Sequence, residues 1–367
     1  MQKIFSQKKW RWKIGVVLSC AALSTLAVPQ AHAEVLEQKW QPGQQLSYDF
    51  NLDGTLRFTT PADTVVGGFP IGGLPLEMLL KGNGQSTLDT REVDDFGSAV
   101  VVPKLEWMQM KFNETTFNQN GVFGLRDGRA NFTVNGQNIG PANVDVSRFV
   151  NPDYGLRFTK SLRVTGFQPL GNAAAETPAQ ENTPAAEKSP LPIDFPAMIQ
   201  AMITRAIPPL LPLEDVSVGD TWDAQVEWPP LPGAAAGATP KEPLGKFNFK
   251  ALGEEEVMGR KTWRIATDGV LEVQDVASKA AGDALEKSSA AGGQTLPFKI
   301  PNFLSVAQKI KGDIWFDPAA GQIVKADLAL NSSAAGRAAA GKATDGDMKF
   351  NGKLLMELRK TSFSGGQ

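Results

Sequence analysis

A nucleophilic thiol and an imidazole base are the most versatile catalytic groups a chain can carry, and this one holds a single copy of each, Cys20 and His32. Both fall in a leader. Lys3, Lys8, Lys9, Arg11 and Lys13 precede an apolar run from Ile14 to Val28, and Pro29 leads on to Ala31-His32-Ala33. That order reads as a secretory signal peptide, residues 1–33, cleaved between Ala33 and Glu34. Lipid attachment at Cys20 is the weaker alternative, because Leu18 stands where a small residue is expected and few apolar residues precede it. Removing those 33 residues from 367 leaves 334 with neither cysteine nor histidine. Cysteine- and histidine-based catalysis, thiolate metal sites and disulfides are thereby excluded from the exported chain.

Carboxylates are the remaining catalytic groups, and a pair across a cleft can hydrolyse a glycoside without histidine. Asp94-Asp95 and Glu254-Glu255-Glu256 are the conspicuous clusters, but each sits beside a hairpin turn, where solvated charge is the expected composition. Asp345-Gly346-Asp347 offers oxygens to calcium without a third acid nearby, and reads as a plain turn. Gly82-Asn83-Gly84 lacks the third glycine and following helix of a dinucleotide site, and reads as a strand bulge or turn. No Walker loop, Gly-x-Ser-x-Gly elbow or His-Glu-x-x-His is present after residue 33. The expectation is a chain with no catalytic residue, no metal and no cofactor.

Charge narrows the partners. Taking the five leader cations from 37 leaves 32 Lys plus Arg against 39 Asp plus Glu, a formal −7 with no basic run. Nucleic acid and anionic membrane surfaces are poor partners for such a chain. The leader's apolar run is short for a membrane anchor and no later stretch approaches the roughly 20 apolar residues of a span, so a periplasmic or extracellular protein without a transmembrane anchor is expected.

The elements are read from periodicity. Apolar residues alternate with polar ones between Gly, Asn-Gly and Asp-Gly punctuation, the pattern of half-buried antiparallel strands. Gln44 to Phe58 alternates, with Asp53-Gly54 expected to turn the chain into Thr55 to Thr60. Met78 to Val93 and Ser98 to Phe112 flank the loop Asp94-Asp95-Phe96-Gly97; Gly121 to Val134 is broken by Asp127-Gly128 and closed by Asn135-Gly136. Phe316-Asp317-Pro318-Ala319-Ala320-Gly321 specifies another hairpin. The tryptophans sit within alternating segments and read as sheet-face packing. Residues 34–170 form an N-terminal antiparallel β region, 171–192 an Ala/Pro/Glu-rich disordered linker, 193–212 an apolar helix and 213–367 a C-terminal β region, with Ala/Gly-rich loops at 232–243 and 332–347. Punctuation echoes between the regions: Trp40 to Leu46 matches Val216 to Trp222, Gln85 to Gln109 resembles Lys246 to Val273, and Gly121 to Val134 resembles Gly312 to Leu330. The echo suggests two similar β halves, joined into one wide sheet or standing as tandem sandwiches.

Two segments depart from the β rule. Asp194 to Ile207 starts with a capping Asp and an early Pro and ends at Pro208-Pro209, a helix of about three turns. Phe195, Met198, Ile199, Met202 and Ile203 leave it only a narrow polar stripe, so it must lie in a groove. Asp275 to Ala291 is a weaker, Ala-rich helix. The loop Val65 to Leu76 is apolar where loops are commonly polar, and glycines around Phe69, Ile71 and Leu74 suit a flap folding over an apolar surface. Phe69, Ile71, Leu74, Phe195, Met198, Ile199, Met202 and Ile203 are thus the expected ligand groove.

The motifs Val218-Gly-Asp-Thr-Trp222, Gly259-Arg-Lys-Thr-Trp-Arg-Ile265 and Trp315-Phe-Asp-Pro-Ala-Ala-Gly-Gln-Ile-Val324 resemble those of exported bacterial β proteins of unassigned function. In outline, residues 213–330 are similar to the lipoprotein-carrier superfamily. That resemblance implies a curved antiparallel half-barrel covered by helices and holding acyl chains, and it transfers no catalytic residue. The combined expectation is a mainly β fold, a curved sheet or half-barrel with one or two covering helices, binding a lipid or acyl chain and performing no catalysis. The competing expectations are a cell-envelope structural or interaction module with a protein partner, and a carboxylate-dependent hydrolase.

Overall fold

The computed structural model describes residues 33–59, 65–66, 69–70, 75–116, 118–138, 144–145, 154–170, 210–212, 214–226, 243, 245–273, 302–337 and 347–364. Residues 1–32 of the leader, the linker and the helices expected over Asp194–Ile207 and Asp275–Ala291 lie outside the described residues. What is described is β structure in nineteen strands. The short ones are β1 (Glu34–Val35), β3 (Val65–Val66), β4 (Phe69–Pro70), β9 (Gln137–Asn138), β10 (Val144–Asp145) and β13 (Asp215–Val216). The N-terminal region supplies β2 (Gln44–Thr59), β5 (Pro75–Val93), β6 (Ala99–Glu114), β7 (Gln119–Arg126), β8 (Arg129–Val134), β11 (Tyr154–Phe158) and β12 (Val164–Pro169). The C-terminal region supplies β14 (Thr221–Val226), β15 (Gly245–Val257), β16 (Arg260–Val273), β17 (Asn302–Asp317), β18 (Gln322–Arg337) and β19 (Asp347–Phe363).

One antiparallel sheet takes nearly all of them, in the order β10-β8-β7-β6-β5-β2-β19-β18-β17-β16-β15-β14. Each region is a meander, and the last strand of the chain, β19, pairs with the first long one, β2, to join them. The two regions therefore form a single wide sheet and not tandem sandwiches. Both meanders run in the same direction across it, and each begins after a glycine of positive φ, Gly43 (73°) and Gly219 (97°). Among the described residues the sheet is open: β10 and β14 each have one neighbour.

Hairpin chemistry placed the tight turns. Asp127-Gly128, Asn135-Gly136 and Met258-Gly259 each put two successive residues at positive φ, the turn that matches strand twist. Asp94 accepts hydrogen bonds from the backbone N–H groups of Phe96 and Ser98, and Asp317 Oδ1 from that of Ala320. The expected turn at Asp53-Gly54 does not form. β2 runs straight through it, because Asp53 and Gly54 face Lys353 and Gly352 on one side and Lys81 and Leu80 on the other. A strand paired on both sides has no free backbone with which to turn. Likewise β18 continues to Arg337, into the tract read as a loop from 332, and Gly82-Asn83-Gly84 is regular strand in register with β2.

The turns joining β5–β6, β7–β8, β15–β16 and β17–β18 all lie at one end of the sheet, and the main core lies there too. Residues 34–41 cross this end as a strap. Gln38 N donates to Lys160 O (2.8 Å), Lys39 N to Gly321 O (3.0 Å), and Lys39 Nζ to Pro318 O (2.7 Å). Leu36 and Trp40 enter the core, with the Trp40 ring 5.7 Å from Phe158 on β11, while Trp263 Nε1 donates to Glu34 Oε2 at 2.7 Å. β11 extends the sheet only along the first residues of β6, Leu156 opposite Val101. The strap and the β11–β12 hairpin thus cap this end, where Val100, Val101, Ile265, Phe249 and Phe316 are fully buried. Asp89, 3% exposed, is held by Arg91 at 2.8 Å and Lys104 at 3.2 Å; a buried charge needs such partners.

Tyr48 marks the inner limit of the core on β2, while on β14 and β15 the core runs on to Val226 and Phe247. Tyr48 is 4% exposed and its hydroxyl donates to Ile323 O at 3.1 Å. Burial pushes its phenol well above the ordinary value, partly offset by Arg260. The folded state therefore keeps the proton where the unfolded chain releases it, so this contribution is constant below pH about 10 and declines as pH rises beyond it. In thermal melts between pH 8 and 11, Tyr48→Phe is expected to show a shallower alkaline loss of stability than the parent. It should also cost about 1 kcal/mol near neutrality from the lost hydrogen bond; parallel alkaline slopes would contradict the assignment.

Candidate functional site: an apolar sheet face beyond the core

The register aligns inward side chains into rows perpendicular to the strands. One row reads Val134, Gly121, Phe112, Leu80, Gly54, Gly352, Leu330, Ile310, Gly269, Phe247 and Ala224 from β8 to β14. The next, toward the core, reads Phe132, Phe123, Met110, Gly82, Leu52, Leu354, Leu328, Gly312, Thr267, Phe249 and Trp222. Thr267 is the one polar residue in the two rows. Period-two alternation in long strands, held in register by hairpins at the other end, dictates this segregation.

The opposite face is charged along the same strands: Lys81, Asp53, Lys353, Lys311, Asp268 and Asp223 stand in one row. Cross-strand pairs such as Lys353–Asp327 (2.9 Å) and Lys311–Asp268 (3.7 Å) connect them. Nearer the tight turns, Arg264 bonds Asp313 at 2.6 Å, and Arg264 and Lys325 lie 5.7 and 5.3 Å from the ring centre of Trp315. The Trp315 indole N–H donates to Glu255. The hydrogen bond to Asp313 raises the Arg264 value further above an already high one. Glu254 pairs with Lys261 at 2.7 Å. The acid clusters Asp94-Asp95 and Glu254-Glu255-Glu256 thus sit beside hairpin turns, with Asp94, Glu254 and Glu255 engaged in turn and cross-strand bonds.

Exposure distinguishes the two faces even where the core has ended. On β2, Phe50, Leu52, Leu56 and Phe58 are half-buried while Asn51, Asp53 and Arg57 are exposed; on β6, Met108, Met110 and Phe112 are half-buried while Gln109, Lys111 and Asn113 are exposed. Leu52, Leu56, Phe58, Leu80, Leu328 and Leu354 belong to neither buried cluster. Half-burial of one face without a packed core is what a curved sheet gives its inner side. Register shifts at Gln85/Ser86, Ala251/Gly253, Trp315/Phe316 and Leu358/Lys360 supply bulges that bend the strands.

Glycines let the rings lie flat on this inner face. A Cβ at Gly121 would meet the ring of Phe112, one at Gly269 the ring of Phe247, and one at Gly54 would come 2.7 Å from Phe350. Each aromatic covers the bare backbone of a neighbouring strand; Phe112 and Phe350 so build a low apolar floor, while Phe247 lies in the core. Phe112 also stacks on Phe132, ring centres 5.4 Å apart.

The floor is bounded at the tight-turn end by the strap. At its other end the connections that follow β2, β14, β16 and β18 leave and re-enter the sheet. Of the groove residues expected from sequence, Ile71, Leu74, Phe195, Met198, Ile199, Met202 and Ile203 lie outside the described residues. Phe69 lies in β4, paired with Val66, and its side chain is outside the description. The floor itself is what sequence reading missed: alternation announced a half-buried face for each strand, but not that these faces line up beyond the core. Among the described residues no group of three or more acids could hold a metal ion. No helix among them is long and apolar enough to cross a membrane. No protein-family model matches the chain, and no curated protein matches its sequence.

The ring-over-glycine geometry makes a signed prediction. Gly121→Ala alone is expected to destabilise the fold by about 1–3 kcal/mol through overpacking against Phe112. In a Phe112→Ala background the same change should cost less than about 0.5 kcal/mol, since alanine suits a strand better than glycine once space exists. Denaturant melts of the four proteins measure the coupling, and additivity would refute the contact.

Proposed function

We propose that this is an exported, non-enzymatic protein whose concave sheet face binds an apolar ligand, a lipid or acyl chain. The observation that carries the reading is the continuation of two apolar rows past the core on β6, β5, β2, β19 and β18, on a face whose reverse is charged. Contiguous apolar side chains left outside the packed core mark a binding site more often than they mark idle surface. The export signal read over residues 1–33, and the confinement of Cys20 and His32 to it, support an extracytoplasmic, non-catalytic role. The helix expected over Asp194 to Ile207, with apolar residues on nearly every side, is the cover proposed for the ligand.

A second reading, an envelope interaction module, draws support from apolar side chains at the tight-turn end: Phe96 is 85% exposed and Met258 55%. It predicts that polar substitutions there abolish capture of a protein partner and leave lipid binding intact.

Two neighbouring leucines separate ligand binding from general damage. Leu80 lies in the apolar floor and Leu79 points from the charged face, 43% exposed. Titration with a fluorescent fatty-acid probe is expected to saturate. Leu80→Asp should weaken it by about tenfold or more, equivalent to about 1.4 kcal/mol, whereas Leu79→Asp should leave it within about twofold. Equal effects of the two, with both proteins folded by circular dichroism, would contradict a site on the inner face.

A further inference from the structure

Two consecutive residues tie the flanks of the sheet together at the tight-turn end. Leu211 N donates to Ser161 O, in the turn between β11 and β12, at 3.2 Å, and Leu210 O accepts the indole N–H of Trp222 on β14 at 3.2 Å. Leu211 is buried in the main core and Leu210 packs against it. β11 lies beside β6 on one flank and β14 ends the other, so these residues sit at the seam between the flanks. β2 and β19 stand midway in the strand order, with five strands on either side. A sheet curved enough for one two-residue step to reach both flanks presents its middle strands to that seam.

The middle strands carry an apolar strip of definite size. Met78 and Leu80 on β5, Leu52 and Leu56 on β2, and Phe350 and Leu354 on β19 face inward, half-buried and outside both core clusters. In the row of Met78, Leu56 and Phe350 the strip ends at Glu114 on β6 and Ser332 on β18. Its three strands span about 10 Å, and the six residue steps from Leu52 to Phe58 run about 20 Å. The segment Asp194–Ile207, expected to be a helix, has 14 residues; such a helix is about 21 Å long and about 10–12 Å across. Ile207 precedes Leu210 by three residues, about 11 Å of chain at most, whereas the 24 steps from Leu170 to Asp194 allow about 80 Å. The chemistry matches too. Phe195 to Thr204 carries no charge, and a helix satisfies most of its own backbone, so it can lie on a face that offers no hydrogen-bond partner where an extended chain could not.

We infer that, when no ligand is bound, this strip of β5, β2 and β19 is the docking surface of the chain's own segment Asp194–Ile207, tethered at the seam by Leu210 and Leu211. The contact goes beyond the apolar-ligand reading above, since it forms without a ligand. Residues 34–367 contain no cysteine, so paired substitutions report it directly. Leu354→Cys, in the strip, is combined in turn with Met198→Cys, Ile199→Cys, Met202→Cys and Ile203→Cys, in protein freed of apolar molecules on a hydrophobic resin and folded by circular dichroism. Lys353→Cys, on the reverse face, replaces Leu354→Cys in the control set. At least one of the four positions is expected to form an intrachain disulfide with Leu354→Cys about tenfold or more faster than with Lys353→Cys, because docking raises the local concentration of the two thiols. No disulfide, equal rates from the two faces, or disulfides that form only between chains overturn the inference, while the probe titration of Leu80→Asp decides the ligand reading separately.

Discussion

The pairing of β2 with β19 is the constraint on which the architecture depends. It joins residues some 300 positions apart, Gln44 with Phe363 and Phe58 with Met348, and through it two meanders become one sheet. Because side chains alternate with period two, a one-residue slip here would turn Leu52, Leu56 and Phe58 outward and break every apolar row at its centre. The bulge at Leu358/Lys360 lets the strand keep that register while bending toward the core. A junction so distant in sequence closes late, since the loop entropy must be met before its contacts form.

From that junction the division of labour along the strands follows. Short, well-specified turns hold one end, where the strap, the β11–β12 hairpin and the aromatic core bury the inner face and fix the strands' spacing. Beyond Tyr48 the strands β6, β5, β2, β19 and β18 continue with the same alternation outside the buried core, and their inner face becomes a floor of leucine, methionine and flattened phenylalanine. Rigidity at one end thus positions the apolar surface at the other, as a site on strands requires. The charged reverse face, with its cross-strand Lys–Asp pairs, keeps the back of the sheet solvated and gives each strand one acceptable orientation.

Much of this was legible in the residues. Alternation gave the strands their faces, and Asp127-Gly128, Asn135-Gly136 and the Asp317-Pro318 unit gave hairpins where they occur. Val216 to Trp222 echoes Trp40 to Leu46 because both precede the first strand of a meander with a positive-φ glycine. Asp53-Gly54 misled, because a turn dipeptide is overridden when both neighbouring strands claim its backbone. The glycines of the floor were read as punctuation for the same reason: only the partner strand reveals that Gly121 makes room for Phe112. The floor was illegible because it is assembled from strands far apart in sequence, none of which carries a motif.

The most direct test of the account is native mass spectrometry of residues 34–367, isolated from the extracytoplasmic fraction without detergent and then extracted with organic solvent. The account predicts a monomer carrying a discrete extra mass that extraction removes and that proves to be lipid, with the same mass lost from Leu80→Asp and kept by Leu79→Asp. A bare mass that stays bare after incubation with lipid extracts would contradict it.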